Sequence, residues 1–550
     1  MEDQAVLIGF DQLTSTLIVL FILSYLIPSI INPDQSWLIH PIILAHQARF
    51  SPTRKQSETP IITNSGATPH SLPVTPDRSV KSLYDLLLKA EGKLQQIDLP
   101  SILPQDVRLN RLITNVRNQL WSQLPSKKNE EHPKILILCE DPYLKLVFTL
   151  SAATLPITTI VGSSKPTGTI SIDSKAALEP YLDSLSLVIS DLSSKDLVQE
   201  LLGPKLAGDC LVLSTADLDC NAWFLADDQR GDSAPHDPAL VSQARLRIIH
   251  QQQRSSSSTC SNDSTKKEGE GVEVYEYTPE NILAGITGSL GIFPVTGKMT
   301  SKDRIFLEFN NSDGDDDLWG SEISVALAGL YSGADVYFFN GFKLLSEYKP
   351  TILMIKAMNA QILAEEIIQL SNLSLLKKFT IGRRLSQVYN GNLGSPLVET
   401  GEWVGPQLRA ILTKDPISQS TATLIRAGFG VSMQRIYAHP ISTGPILVSQ
   451  QYDFQVPQST TRATKSMMGC GPPAANVECK IVGVAEPSLV NHDAWKGKLV
   501  VRGPSIGTRI VPSRDPTSQQ EDCFFPVAEI AQVLPNGTFL LFPPSSTGDD

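Results

Sequence analysis

Cysteine is scarce in this chain of 550 residues and follows no pattern: there are seven, with no Cys-x-x-Cys pair and no Cys/His cluster at metal-ligand spacing. That excludes a zinc-ribbon architecture and a disulfide scaffold, and it fits a reducing compartment where thiols are buried as small apolar groups. Positive charge is not in excess either. With 46 basic and 57 acidic residues the formal net charge is -11, so there is no overall electrostatic footprint for nucleic acid, and none is expected as a partner. No Gly-x-Ser-x-Gly elbow is read at a strand-to-helix turn, and no persuasive Ser/His/Asp set accompanies one, which leaves hydrolase chemistry without support. Glycine is missing where it would matter most for phosphate. Ser255 to Lys267 reads SSSSTCSNDSTKK, rich in hydroxyls and with two lysines, but without the residue that lets backbone amides close around phosphate oxygens.

One long apolar run is present, at the start. Leu13 to Ile31 carries no charge, and nineteen residues at about 1.5 Å each nearly match the roughly 30 Å hydrocarbon core of a bilayer. Glu2, Asp3 and Asp11 precede it, while Arg49, Arg54 and Lys55 come after it. The positive-inside rule therefore predicts a single-pass anchor with the bulk of the chain in the cytosol. The sequons at Asn262, Asn310, Asn372 and Asn536 would then be silent.

Further along, the composition divides the chain into an anchor at 1–36, a first α/β unit with its lead-in at 37–225, a polar and mobile linker at 226–271, a second α/β unit at 272–460, and a small β-barrel-like unit at 461–550. Phe50 to Pro76 reads as a polar connector. Apolar spacing at Val80, Leu83, Leu86 and Leu87 predicts a helix. Ile135–Leu138 and Thr158–Val161 are predicted as parallel strands joined by a crossover helix. Within the polar linker, ALVSQARLRIIHQQQ reads as a short helix. Thr278, Pro279 and Glu280 mark the start of a firmer one. VECKIVGV, KGKLVVRGPS and NGTFLLF are short runs bounded by turn residues, as in an antiparallel sheet. The acidic stretch NNSDGDDDLWGSE has charge enough for a divalent cation, but Leu318 stands where a calcium loop needs glycine, so no metal ligand is assigned.

The order of these segments resembles the adenylate-forming superfamily, and within it the long-chain acyl-CoA synthetases. YTPENILAGITGSL is similar to the helix that comes after the family's phosphate loop, where THENL is typical. AGLYSGADVYFF and the KPT segment resemble the family's ALYSGA strand and the segment beyond that strand. MGCGPPAANVECKIV, through Gly469, Gly471 and Pro472, resembles the GxxGxPxP turn, and GKLVVRGPSIG resembles GEIxVRGP with Lys498 in place of Glu. The resemblance implies two α/β subdomains of the synthetase N-terminal domain plus a small β-barrel, here preceded by one transmembrane helix. For an active ligase it also implies ATP, Mg and CoA, an acyl-adenylate intermediate, and a lid domain that the residues up to Asp550 do not match.

The positions the family uses for chemistry are altered. In place of YTSGTTGxPKG stands the glycine-free stretch, whose Thr259, Ser264, Thr265 and Lys266 are weak remnants of a phosphate site. IYAHPISTG occupies the place of GYGxTE: Pro440 replaces the phosphate-contacting Thr and Ile441 the magnesium-binding Glu, while Tyr437 persists as an aromatic for adenine and His439 stands beside it. CFFPVAEIAQVL matches GWFxTGDIGxxx, with Val527, Ala528 and Glu529 at the Thr-Gly-Asp positions and Glu529 keeping a carboxylate for the ribose. These changes predict an acyl-CoA synthetase-like pseudoenzyme with no catalytic residue and no cofactor. It would sit on the endoplasmic reticulum or a lipid organelle, binding acyl chains or partnering active acyl-CoA synthetases. The alternative is an active, divergent long-chain fatty acid-CoA ligase.

Overall fold

The structure is a computed structural model and describes residues 12, 14–21, 41–52, 54–66, 72–97, 108–124, 133–139, 141–162, 180, 184–190, 210–214, 223–224, 241–251, 272–308, 321–340, 345–394, 396–454, 467–484, 495–510 and 523–542. Its strands form three sheets.

The first sheet is built as the apolar runs predict. Lys134–Leu138 lies parallel to both Thr158–Val161 and Leu185–Ser190, and Leu211–Ser214 continues the parallel set. The crossover helix Pro142–Ala153 starts where Asp141 accepts from the amides of Tyr143 at 2.8 Å and Leu144 at 3.3 Å, with Pro142 in the first turn. Both features favour a helix start. Ile135, Leu136 and Ile137 have no exposed surface. Each such side chain stabilises the fold by about 1.5–3 kcal/mol before entropy is subtracted.

The second sheet runs in the order Leu447–Val448, Ser432–Tyr437, Ala410–Thr413, Ile352–Met354, Arg304–Glu308, Asp335–Phe339 and Leu94–Gln96, parallel except for the first pair. Its last member comes from the lead-in, just after helix Leu83–Lys89, so the chain visits this sheet before it builds the other one. The third sheet is antiparallel: Ala48–Phe50, Ile62–Asn64, Glu478–Val482, Lys496–Arg502, Phe525–Val533 and Phe539–Phe542.

Two expectations are corrected. ALVSQARLRIIHQQQ contains strand Arg245–Gln251, not a helix; it is parallel to Thr158–Val161 on one side and antiparallel to Val272–Tyr277 on the other. Pairing on both edges, burial of Leu246 and Ile249, and the Arg247–Glu276 ion pair at 2.7 Å override a weak helical spacing. Likewise the connector read from Phe50 to Pro76 contains strand Ile62–Asn64, which pairs with Glu478 and Cys479 and buries Ile62 completely. A three-residue strand is too short for its alternation to stand out.

Most of Leu13 to Ile31 lies outside the described residues. Residues 14–21 are helical with Leu17 to Phe21 exposed, and among the described residues no helix is long and apolar enough to cross a membrane. The acidic stretch 310–322 lies outside them as well, apart from Ser321 and Glu322; Glu322 pairs with Lys414 at 2.8 Å. No cluster of three or more potential metal ligands occurs among the described residues.

Candidate functional site

Three connecting segments meet in one place: the start of helix Pro279–Leu290, the end of strand Ser432–Tyr437, and the turn that leaves strand Lys496–Arg502. The helix begins with a reciprocal cap. Asn281 N donates to Thr278 Oγ1 at 3.2 Å, and Thr278 N donates to Asn281 Oδ1 at 2.8 Å. The other end of the Asn281 amide reaches the third sheet, where its Nδ2 donates to the carbonyls of Pro504 at 2.7 Å and Ile506 at 3.2 Å. The helix terminus, a ready place for an anion, is thereby covered by its own cap and a neighbouring turn.

The loop after Tyr437 is tied to both partners. Thr443 Oγ1 donates toward the carbonyls of Asn281 at 2.5 Å and Ser505 at 3.2 Å, and Thr443 N donates to Ser505 O at 3.0 Å. Ser442 Oγ donates to Gly444 O at 2.9 Å. The backbones touch: a Cβ on Gly444 would lie 2.6 Å from the Cα of Gly285. Tyr277 OH donates to Pro440 O. His439 accepts from Ile441 N through Nδ1 at 3.2 Å, and its ring stands edge-on to Tyr275 at 6.3 Å.

Ile441, at the place of the magnesium-binding carboxylate, is 3% exposed and belongs to the main apolar core, as does Tyr437. Its carbonyl accepts from Gly507 N at 2.7 Å. Val527, at the position of the family's Thr, is fully buried. Glu529 lies on a different sheet, in Phe525–Val533, where Lys498 faces Ile530 and Val500 already faces Pro526, so the register shifts across 527–529. Thr259, Ser264, Thr265 and Lys266 lie outside the described residues. The strands that flank their loop, Arg245–Gln251 and Val272–Tyr277, are held together by Arg247–Glu276 at 2.7 Å, and Arg509–Glu273 at 2.6 Å ties the second of them to Thr508–Arg509.

The groups described at this junction do not fit Mg-nucleotide. A hard cation needs oxygen ligands, whereas the position that the resemblance gives to the ligand holds an aliphatic side chain in the core, and the hydroxyls of Ser442 and Thr443 are engaged with protein carbonyls. Carboxylates at the same edge of the second sheet are engaged too. Glu308 accepts from Lys356 N at 2.8 Å and from the Asn359 amide, while Asp415 accepts from Ala357 N at 2.7 Å; together they hold the start of helix Ala357–Asn372.

At the opposite edge, before three parallel strands, Asp303 meets Arg409 at 2.8 and 3.1 Å and Thr351 at 2.9 Å. Burial pushes its pKa up, but the hydrogen bonds from Arg409, Thr300 and Thr351 outweigh burial and hold it below the ordinary value. In open parallel sheets ligands bind at the carboxyl ends of strands, so this half-buried pair reads as a structural clamp.

The Gly503-Pro504-Ser505-Ile506-Gly507 run has the spacing of a nucleophile elbow. Its context is wrong: Ser505 is buried in a turn between strands Lys496–Arg502 and Thr508–Arg509, with no helix behind it.

Sequence reasoning missed Asn281, Thr443, Glu308 and Asp415 as the residues that order the site. Asn281 had a readable signal, being the third residue of a helix capped by Thr278. The other three are paired across sequence separations no local pattern reports.

No protein-family profile matches the chain, and no curated relative matches it. Solved structures do. VinN superposes with a TM-score of 0.56 at 13% identity, covering 85% of this chain and 100% of its own. A putative long-chain-fatty-acid CoA ligase from Rhodopseudomonas palustris gives 0.57 at 11% identity, covering 84% and 99%. An adenylation domain of a keto acid-selecting NRPS module, bound to keto acyl adenylate, gives 0.56 at 12% identity, covering 86% and 82%. At these identities the likeness is one of fold alone: the chain shares the mixed α/β architecture of these structures, with the antiparallel sheet as a half-barrel.

Proposed function

We propose that this protein keeps the acyl-CoA synthetase-like fold without nucleotide chemistry, and acts at a membrane as an acyl-chain-binding or scaffold protein in lipid metabolism. The observation that carries the reading is Ile441, seated in the apolar core where the resemblance puts a magnesium-binding Glu. A carboxylate there would lose its hydration without a partner, and an isoleucine offers no lone pair for a cation. Around it the phosphate-contacting position is Pro440, whose carbonyl takes the Tyr277 hydroxyl. The apolar run from Leu13 to Ile31 supports a single-pass anchor on the endoplasmic reticulum or a lipid organelle with the bulk of the chain in the cytosol. Active acyl-CoA synthetases are candidate partners.

Isothermal titration of the full chain with ATP and Mg tests the reading. No heat of binding is expected up to millimolar nucleotide, and micromolar affinity would refute it. Lipid extraction and mass spectrometry of the purified protein then separate an acyl-chain carrier from a pure scaffold.

A second reading, an active divergent long-chain fatty acid-CoA ligase using ATP, Mg and CoA, is favoured by the fold shared with adenylating enzymes. Sustained acyl-CoA formation from labelled fatty acid by the purified chain would establish it in place of the first.

A further inference from the structure

Helix Leu375–Tyr389 turns an unusual face to solvent. Leu373, just before it, and Leu375, Leu376 and Phe379 within it are between 68% and 86% exposed, while Ile381 and Val388 on its other side are buried. Leu375, Phe379 and Arg383 are spaced four apart and share one face. From Leu373 to Tyr389 the sequence holds Lys377, Lys378, Arg383 and Arg384 and no acidic residue, in a chain whose net charge is -11. Lys377 pairs with Glu399 at 2.8 Å from a neighbouring helix and Arg384 donates toward Pro396 O at 3.4 Å; Lys378 and Arg383 complete the basic set.

A partner helix or groove would need apolar anchors repeated along the whole length of the face. Here the face carries leucine and phenylalanine for one repeat, and then turns to Gly382, Arg383 and Ser386. Apolar groups that sink a short way, with cations directly behind them at phosphate height, are the layout of a helix lying in a bilayer interface. An acidic protein meets an anionic bilayer against its own net charge, so the basic helix also fixes which side can approach.

The place in the fold agrees. Leu385 and Val388 pack with Phe454 and Tyr452. Between those rings, Asp453 accepts from Gln47 Nε2 at 2.7 Å, and the same nitrogen donates to Leu44 O at 3.2 Å. Leu44 belongs to helix Pro41–Ala45, whose Ile42 and Ile43 are themselves exposed. The helix face and the short helix Pro41–Ala45, which begins ten residues beyond Ile31, are thus linked by a few direct contacts.

We propose that helix Leu375–Tyr389 docks on an anionic phospholipid surface, with Leu375, Leu376 and Phe379 at the headgroup–acyl boundary and Lys378 and Arg383 on phosphates. This contact stands whether or not Leu13 to Ile31 spans the membrane. Hydrogen exchange of the full chain, read on the peptide 373–383, tests it with vesicles of phosphatidylcholine alone and with added phosphatidylserine. Exchange there slows by about tenfold with the anionic vesicles. In Leu375→Asp/Phe379→Asp, whose side chains are exposed and whose fold is checked by circular dichroism, the slowing disappears. In Lys378→Glu/Arg383→Glu the preference for phosphatidylserine disappears. Flotation of the same samples reports the N-terminal anchor separately. Unchanged exchange in chain that floats with the vesicles overturns the proposal, as does equal slowing on both lipids, or slowing that needs only a higher protein concentration and so marks a second copy.

Discussion

The turn at Gly471, packed on Val448 and Ser449, and the loop at 439–444 flank the same strand Leu447–Val448 and differ in opposite ways from the family pattern. At Gly471 the backbone sits at φ +80°, and a Cβ would lie 2.1 Å from Val448 O; the residue is the one the adenylate-forming pattern has. In the loop the backbone course is kept, tied by Thr443 and Gly444 to helix Pro279–Leu290, while the positions that would meet magnesium and phosphate hold Ile441 and Pro440. Framework geometry and ligand chemistry are therefore separable in this fold. The first rests on steric contacts within the chain, and the second on a few side chains that those contacts do not dictate.

The sharpest attempt to break that contrast is Ile441→Glu, which restores the ligand type. It should cost about 4 kcal/mol by burying a carboxylate in the core, read as a drop in the urea midpoint, and should not confer Mg-dependent ATP binding; binding would show that this one side chain, and not the whole junction, sets the ligand chemistry. Gly471→Ala comes next. The left-handed backbone and the clash with Val448 O predict a loss of about 3 kcal/mol by the same measurement, and a neutral result would remove the framework half of the comparison.

Asp303→Asn should cost about 2 kcal/mol, less than a fully buried pair because Arg409 is partly exposed. Its pH dependence has a definite sign. Since the folded pKa of Asp303 lies below its ordinary 3.8, its contribution is complete above that value and is lost as the pH falls through the folded pKa. The native chain should therefore lose stability below about pH 4 more steeply than the variant. Thr443→Val removes a hydroxyl while keeping its shape, and should cost about 1 kcal/mol. Smallest of all, Lys377→Met breaks an ion pair whose side chains are both more than 30% exposed and should change stability by less than about 0.5 kcal/mol.

How far the sequence reveals this molecule depends on the range of the contacts involved. Lys134–Leu138, Thr158–Val161 and the capped start at Thr278 were legible because their signals are local: β-branched runs, a proline in the first turn, a capping residue. Arg245–Gln251 was misread because its strand identity comes from two partners, Thr158–Val161 and Val272–Tyr277, and its own spacing is ambiguous. The site was legible in identity and not in environment. Ile441 and Val527 could be named as replacements, but their burial, and the capture of Ser442 and Thr443 by carbonyls of the surrounding turns, come only from the packing of three sheets.

The antiparallel half-barrel draws its first two strands from residues 48–64 and the other four from residues 478–542. Ile62 faces Cys479, and Gln47 N donates to Asn536 O at 3.0 Å. During synthesis the two early strands can pair with each other, but the outer edge of Ile62–Asn64 must wait for Glu478–Val482 until more than four hundred further residues have emerged, and loops of that span close slowly. That edge is open to wrong partners throughout the interval. Protein made in cells should thus depend on chaperones in proportion to elongation time, and a ribosome stalled ahead of Glu478 would carry a chain whose second sheet can close while the outer edge of Ile62–Asn64 and the Val272–Tyr277 edge that takes Thr508–Arg509 still lack their partners.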